Sequence, residues 1–448
     1  MDFAWTDEQC QGHEQARLFA QRELAGTGAE ELGEAPGKEA GRERWRERWR
    51  KCAGFGVQGL NLPVAHGGLG LDTRTAVHVL EGLGEGCSDN GLLLALGAQL
   101  WSVGMPLLRF GSEAQQRRWL PGLAQGESIG AFALTEAESG SDGLHVRTRA
   151  VAEAGGYRLE GVKAFVTNAP EAEVFVVVAA SAAEAGYFGL TAFVLERGMA
   201  GLEVGPGLRK MGLETSPMAE VRLNGVWAPA EAVLGEVGGG GAVVRHTLEW
   251  ERGCLLAPAL GTMERLLQAT TAHARGRKQF GRPIINFEAV GERLAEMRLR
   301  LEVSRLLLYQ FAWLKDQGQA AGLQASMTKL YVSESLRRTA ELAVHLHGAA
   351  GYMRELEYER TWRDAMASSL YSGTTEMQHN LIAESLLQPA AAAGERAAPS
   401  GRRLAGPAAA ATSEPGAGPP SASALGRQRE RGEAGVEYAP AGSGEAGR

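Results

Sequence analysis

Two kinds of hydrophobic spacing alternate along this chain, and their order constrains the fold more than any other feature. Up to about Gly130 apolar residues recur at helical spacing, broken by glycines in "GLGLDTRTAVHVLEGLGEGC" and "NGLLLALGAQLWSVGMPLL". From "IGAFALTEAESGSDG" onward the pattern changes to short β-prone runs, "YRLEGVKAFVTN", "AEVFVVVAAS", "GLTAFVLE" and "AEVRLNGVWAP". Gly, Asn and Pro turns part them, which reads as a small antiparallel sheet domain over residues 131–237. Helical spacing then returns. In "NFEAVGERLAEMRLRLEVSRLLLYQF" the residues Phe287, Val290, Leu294, Met297 and Leu301 recur at three and four, and Leu323, Met327 and Leu330 begin another helix. The sequence therefore predicts a mainly α protein with a small central β domain. An N-terminal helical domain spans 1–130 and a C-terminal helix bundle spans 238–388.

Local signals agree with this order. Thr6 with Gln9, and Ser112 with Gln115, have the spacing of a capping box and predict helix starts. The glycine run from Gly238 to Gly241 lacks the lysine and the strand context of a phosphate cradle, and reads as a flexible domain connection. From about Pro389 large aliphatic and aromatic residues nearly vanish, so 389–448 is expected to be a disordered low-complexity tail.

Charge and cysteine usage narrow the compartment and the partners. With 46 Lys+Arg against 53 Asp+Glu the net charge is −7, which calls for neither a nucleic acid nor an anionic membrane. No apolar run reads as the roughly 20 residues of a membrane helix. The start "MDFAWTDEQC" has neither the basic flank nor the apolar core of a signal peptide. The four scattered cysteines show no CxxC pair, and a reducing, cytoplasmic setting is expected.

The motifs that carry chemistry come as an ordered set: "ALTEAESGSD" at 133–142, "FVTN" at 165–168, "KMGLETSP" at 210–217, "RKQFGRPI" at 277–284 and "HGAAGY" at 347–352. With the helix, sheet, helix order, the chain resembles the acyl-CoA dehydrogenase family of flavoproteins over roughly residues 1–388. The resemblance implies FAD bound between the sheet and the C-terminal bundle, with Phe132, Leu134, Thr135, Gly140, Ser141, Phe165 and Thr167 facing the flavin. Thr374 and Glu376 would lie near the adenosine, while Arg277, Gln279 and Phe280 would reach across to another subunit's FAD. A homo-oligomer follows, a dimer or a homotetramer. Three positions depart from the family pattern: Phe165 stands where tryptophan is usual, and His345 and Ala349 replace a glutamine and a glycine.

Family chemistry is α,β-desaturation of an acyl thioester by α-proton abstraction and β-hydride transfer to flavin N5. The α-proton is weakly acidic, so the site must present a base whose pKa burial has raised. In many members that base is a glutamate in the loop before the last helix, where "SLYSGTTEMQ" has Ser372. Members resembling isovaleryl-CoA and long-chain acyl-CoA dehydrogenases instead carry the carboxylate on the first helix after the sheet domain. The matching residue in "TLEWERGCLLAPALG" is Glu251. On this reading Glu251 is the base, and Ser372 is a vacated position with a dispensable side chain whose backbone N–H serves as an oxyanion donor. Ser141, Arg252, Ser372 and Gly373 are expected to contact substrate, with Arg252 equally suited to tying two segments together. Glu249 points about 200° away around the helix and falls outside the pocket. His345 and His347 lack further ligands, so no metal is expected.

The leading expectation is thus an acyl-CoA dehydrogenase of fatty acid metabolism. Two alternatives stand beside it: a dehydrogenase or oxidase of a carrier-protein-bound acyl thioester in a biosynthetic pathway, and an inactive flavin-binding protein. Family members commonly pass electrons to electron-transferring flavoprotein, and oxidases pass them to oxygen.

Overall fold

The computed structural model describes residues 4–24 and 39–387. The expected tail lies outside them. Helix α1 (Asp7–Glu23) opens with the capping box read from the sequence: Gln9 N donates to Thr6 Oγ1 and Thr6 N to Gln9 Oε1. Helices α2 (Glu39–Phe55) and α3 (Thr73–Gly86) follow.

Next comes one continuous helical rod over residues 90–110. It runs from α4 (Asn90–Gln99) through a π-helical turn (Leu100–Gly104) into α5 (Met105–Phe110). Its 21 residues, mean hydropathy 1.6, have the length and composition of a membrane span, contrary to the sequence reading. The rod is instead a core helix, wrapped by the rest of the protein over most of its length. Helix α6 (Glu113–Ala124), with the second capping box at Ser112 and Gln115, closes the helical part.

Eight strands form the central sheet: β1 (Gly130–Ala133), β2 (Arg149–Glu153), β3 (Gly156–Thr167), β4 (Val174–Ala180), β5 (Leu190–Glu196), β6 (Leu202–Val204), β7 (Met218–Pro229) and β8 (Val233–Leu234). Their order is β6-β7-β3-β2-β4-β5-β8, with β1 on β4. The sheet is mixed, whereas the sequence reading had it antiparallel: β1 runs parallel to β4, and β2 meets β4 in parallel at one pair. Long crossovers rather than hairpins join these segments, which permits the parallel direction. On the β3–β7 ladder the register slips between Lys163 and Val166, a β-bulge that turns out Phe165 at φ 55°.

The C-terminal part contains α7 (Gly240–Cys254), α8 (Ala257–Gly276), α9 (Glu288–Asp316), α10 (Gly322–His347), α11 (Ala349–Tyr352), α12 (Tyr358–Ser368) and α13 (Thr375–Leu387). The predicted long helix is α9, with Met297 and Leu301 in its buried face. Helix α10 forms where expected but buries a different face. Small and polar residues, Ala325, Ser326, Thr328, Lys329 and Ser333, are inside, while Leu323 lies exposed.

Close approach, not flexibility, explains the glycines at the start of α7. A Cβ on Gly240 would sit 2.7 Å from the Leu190 carbonyl carbon, and one on Gly241 would sit 2.6 Å from the Tyr187 ring. These contacts clamp α7 to the sheet domain. At its other end Gly253 lets α7 cross Phe311 of α9, whose ring a Cβ would meet at 2.0 Å.

Candidate active site

Helix α7, fixed at both ends, carries Glu251 into the space between the rod and the loop before α13. Ser102 Oγ, from the π-helical turn, donates to Glu251 Oε1 at 2.5 Å. Ser372 Oγ, from the loop, donates to Oε2 at 2.6 Å. Burial pushes the Glu251 carboxyl up from its ordinary value, and the two hydroxyls and Arg252 only partly oppose this. The carboxylate is densely enclosed, yet the residue keeps some solvent contact, as a base that meets a substrate requires. Glu249 faces elsewhere, paired with Lys315 at 2.8 Å.

The loop is held by its own carbonyls. Arg252 Nε donates to the Ser372 oxygen at 3.0 Å, and Gln378 Nε2 donates to the Ser372 and Gly373 oxygens at 3.2 and 3.0 Å. These bonds stabilise two successive left-handed residues, Ser372 at φ 56° and Gly373 at φ 95°. Arg252 thus ties two segments together. Ser372 differs from its sequence reading, because its side chain bonds the base instead of standing idle.

Beside the π-turn, Trp101 stacks on Trp250 with ring centroids 5.4 Å apart and planes 6° apart. Trp250 Nε1 donates to His246 Nε2 at 3.1 Å. Burial, with Lys315 nearby, lowers His246 to about 4, so the ring is neutral at physiological pH. Lys315 Nζ, the partner of Glu249, lies 4.6 Å over the Trp250 ring, so this stack belongs with the Glu249 side of α7.

A second surface lies at the end of β1 and on the β3 bulge. Buried Glu136 accepts bonds from Arg147 N, Thr148 N, Thr148 Oγ1 and Lys163 Nζ, and Lys163 also donates to the Leu134 carbonyl. Burial pulls Lys163 down to about 8 against the opposing pull of Glu136. This pair anchors the turn that carries Leu134, Thr135, Gly140 and Ser141. Phe165 projects beside it and is 62 % exposed. Thr135 and Thr167 are partly buried, Ser141 is exposed, and Gly140 has open space where a Cβ would stand. An uncovered aromatic ring, small hydroxyls and an open glycine fit a planar, polar-edged cofactor such as FAD. Phe132, from β1, is partly buried against the core.

The remaining candidates sit apart. Arg277, Gln279 and Phe280 are exposed in a small hairpin, β9 (Lys278–Gln279) with β10 (Arg282–Pro283), and no hydrogen bond among the described residues joins them to Glu251. Phe280, at φ 50° and 93 % exposed, meets the Phe287 ring edge-on. Thr374 caps α13 by accepting from Met377 N, and Glu376 is exposed in its first turn. His347 stacks between Tyr358 and His273, while His345 is exposed. A cluster of metal-ligand type, His13, His78 and Glu81, is engaged internally, since Glu81 accepts from Arg305 and Tyr309, and Tyr309 meets His78.

Sequence reasoning missed Ser102, Gln378 and the Lys163–Glu136 pair. The one available signal for Ser102 was a lone hydroxyl within the apolar run "LLLALGAQLWSVGMPLL". A serine there ordinarily bonds a carbonyl of its own helix, and the partner it has is 149 residues away.

Comparison with known proteins bears on the fold. Models of the N-terminal, middle and C-terminal domains of acyl-CoA dehydrogenase match residues 6–127, 131–226 and 238–387. An L-prolyl-[peptidyl-carrier protein] dehydrogenase of Pseudomonas fluorescens is 40 % identical over 336 residues, covering 75 % of this chain and 88 % of that protein. The crystal structure of the prolyl acyl carrier protein oxidase AnaB matches with TM-score 0.82 and 41 % identity, over 86 % of this chain and all of that one. PigA with FAD and proline matches with TM-score 0.81 and 34 % identity, over 86 % of this chain and 99 % of that one.

Proposed function

The chain belongs to the acyl-CoA dehydrogenase family and is an FAD-dependent oxidoreductase, and from that premise we propose that it oxidises an aminoacyl thioester, prolyl first, tethered to a carrier protein. The observation that carries the reading is the enclosed Glu251 carboxylate between Ser102 and Ser372, with serine where a loop glutamate would otherwise be the base. The relatives that act on prolyl carriers supply the substrate class. Relatives named acyl-CoA dehydrogenases match at 34 % identity, below the 40 % and 38 % of two prolyl-carrier relatives, so the free acyl-CoA of the sequence reading gives way to the carrier alternative.

On this reading Glu251 takes the proton from the α-carbon of the thioester, and the backbone N–H of Ser372 donates to the thioester oxygen as negative charge grows there. FAD, when bound, supplies the acceptor for the hydride leaving the adjacent atom. Leu134, Thr135, Gly140, Ser141, Phe165 and Thr167 hold the flavin, with Phe132 behind them. Burial keeps the base in low-dielectric surroundings.

A homo-oligomer belongs to the same proposal. The Phe280 ring is nearly bare, Arg277 and Gln279 are exposed beside it, and Leu299 and Leu306 of α9 stand in solvent. A second copy covers these residues while they complete its FAD site. The four cysteines are unpaired, which supports a reducing compartment.

The test is anaerobic mixing of the holoenzyme with prolyl carrier protein, prolyl-CoA, butyryl-CoA and isovaleryl-CoA, followed by flavin absorbance. Prolyl carrier protein bleaches the flavin fastest if the proposal holds. Butyryl- or isovaleryl-CoA bleaching as fast or faster would overturn it.

A further inference from the structure

The two hydroxyls on Glu251 come from unlike places. Ser102 is 2 % exposed and sits in a five-residue π-helical turn of the core rod. Such turns are frequent at functional sites. Ser372 lies in a loop, keeps solvent contact, and is in a left-handed conformation with its carbonyl bonded by Arg252 and Gln378. The Glu251 oxygen bonded to Ser102 therefore meets a buried hydroxyl, and the oxygen bonded to Ser372 meets a loop that keeps solvent contact.

We propose that Ser102 is a permanent positioning donor on the spectator oxygen of Glu251, and that the Ser372 hydroxyl is an exchangeable cover that yields the second oxygen to the substrate's α-hydrogen. This rests on reading Glu251 as the base. In the step itself the α C–H bond breaks, the proton bonds to Oε2 of Glu251, and the electron pair stays with the substrate. Before substrate arrives two donors blunt the base. Once the cover has turned aside, Oε2 regains its basicity while Ser102 still fixes the carboxylate plane.

The other groups around the carboxylate do not duplicate this arrangement. Arg252 on the same helix is occupied by the loop carbonyl. Tyr371, in the loop, has its hydroxyl pushed up by burial and then by Glu251, and stays neutral. Lys329 of α10 acts on Arg252, not directly on Glu251, and Glu249 is paired with Lys315. His246 is neutral, and the π-turn "LWSVG" carries no charge.

Pre-steady-state flavin reduction across pH separates the two roles, because the ratio of limiting rate to dissociation constant reports the free enzyme and the limiting rate reports the complex. Ser102→Ala should move the acid limb to higher pH in both profiles and lower the plateau rate about tenfold through lost orientation. Ser102→Thr should restore the limb. Ser372→Ala should move the limb only in the free-enzyme profile and tighten binding. A limb that moves in both profiles for Ser372→Ala, or in neither for Ser102→Ala, overturns the proposal.

A second measurement needs no substrate. The infrared carbonyl stretch of protonated Glu251, assigned by its loss in Glu251→Gln, should titrate at higher pH in both serine variants than in the parent holoenzyme. If it shifts in both while no prolyl thioester bleaches the flavin, the substrate reading fails and the clamp stands. If it shifts in neither, the clamp fails whatever the substrate. Should Ser102→Ala not fold, Ser102→Thr and Ser372→Ala still decide the matter: the threonine must keep the parent titration, and the alanine must raise it.

Discussion

Glu251 has both carboxylate oxygens bonded by the chain's own hydroxyls, whereas Phe165 at the flavin surface is 62 % exposed and Phe280 in the β9–β10 hairpin is 93 % exposed. The base site is complete in a single chain. Its residues come from the rod and α7, held by packing, and from the loop before α13, held by hydrogen bonds to its carbonyls. The cofactor surface is the reverse, a set of rings and hydroxyls fixed in place but uncovered. On the proposed reading, reactivity at Glu251 is set by groups the chain supplies, while occupancy of the flavin site depends on FAD and on the proposed second copy.

The sharpest way to break that comparison is at the base. Glu251→Gln keeps the shape and loses the proton acceptor, so the limiting rate of flavin reduction should fall about a hundredfold to ten-thousandfold, as for loss of a general base. Flavin content should stay the same, because Glu251 bonds only Ser102 and Ser372. A variant that reduces at the parent rate with its best thioester would remove Glu251 from the mechanism.

Next in size is the double variant Glu251→Gly with Ser372→Glu. Ser372 Oγ already lies 2.6 Å from a Glu251 oxygen, so a carboxylate grown from position 372 reaches the space that the α7 carboxylate leaves. Part of the lost rate should return, measured in the same bleaching experiment. Recovery stays partial because Ser102 then has no carboxylate oxygen in its line and orientation is looser. Equal rates for Glu251→Gly alone and for the double variant would show that the two segments do not address one point.

At the cofactor surface the expected effect is smaller and depends on concentration. Arg277→Ala and Phe280→Ala should lower the flavin-to-protein ratio, with greater loss on dilution as copies separate. Sedimentation and absorbance on the same samples check this. Occupancy that falls equally at all concentrations would place these residues within their own chain's site instead.

How much of this was legible depended on whether the signal was local. The helix, sheet, helix order, the capping boxes at Thr6 and Ser112, and the long α9 are properties of neighbouring residues, and the sequence carries them. The parallel pairing of β1 with β4 joins segments about 45 residues apart in Gly130 and Val174, and alternation within a strand says nothing of direction. Helix α10 misled for a different reason. Its buried face mixes small and polar residues with Val332, Leu336, Leu342 and Leu346, and Leu323, Met327 and Leu330 lie at its margin, so the stripe from Leu323 did not mark the inner side. Glu251 and the vacated loop position could be read through family resemblance. Ser102 could not, since a serine in an apolar run is ordinary until a π-turn aims it at another helix.

The smallest expected effect concerns stability, and it follows from the direction of the Glu251 shift. Burial raises the carboxyl above its ordinary value in the folded protein. In the unfolded chain it titrates near about 4.3. Between the two values the folded state binds more protons than the unfolded one, so stability falls as pH rises through that window, and above it the whole cost of holding a buried anion persists. Ser102 and Ser372 reduce that cost without cancelling it, since the net direction is still upward. Glu251→Gln carries no charge, and its amide can accept from one serine hydroxyl and donate to the other. Its melting temperature as holoenzyme should therefore exceed the parent's by a few degrees at pH 8, and the gap should close as pH falls toward the unfolded carboxyl value. A lower melting temperature at pH 8, or a gap that ignores pH, would mean that the two hydroxyls outweigh desolvation. The base site would then be at rest in its ionised form, and the contrast with the uncovered cofactor surface would extend from hydrogen bonding to energy.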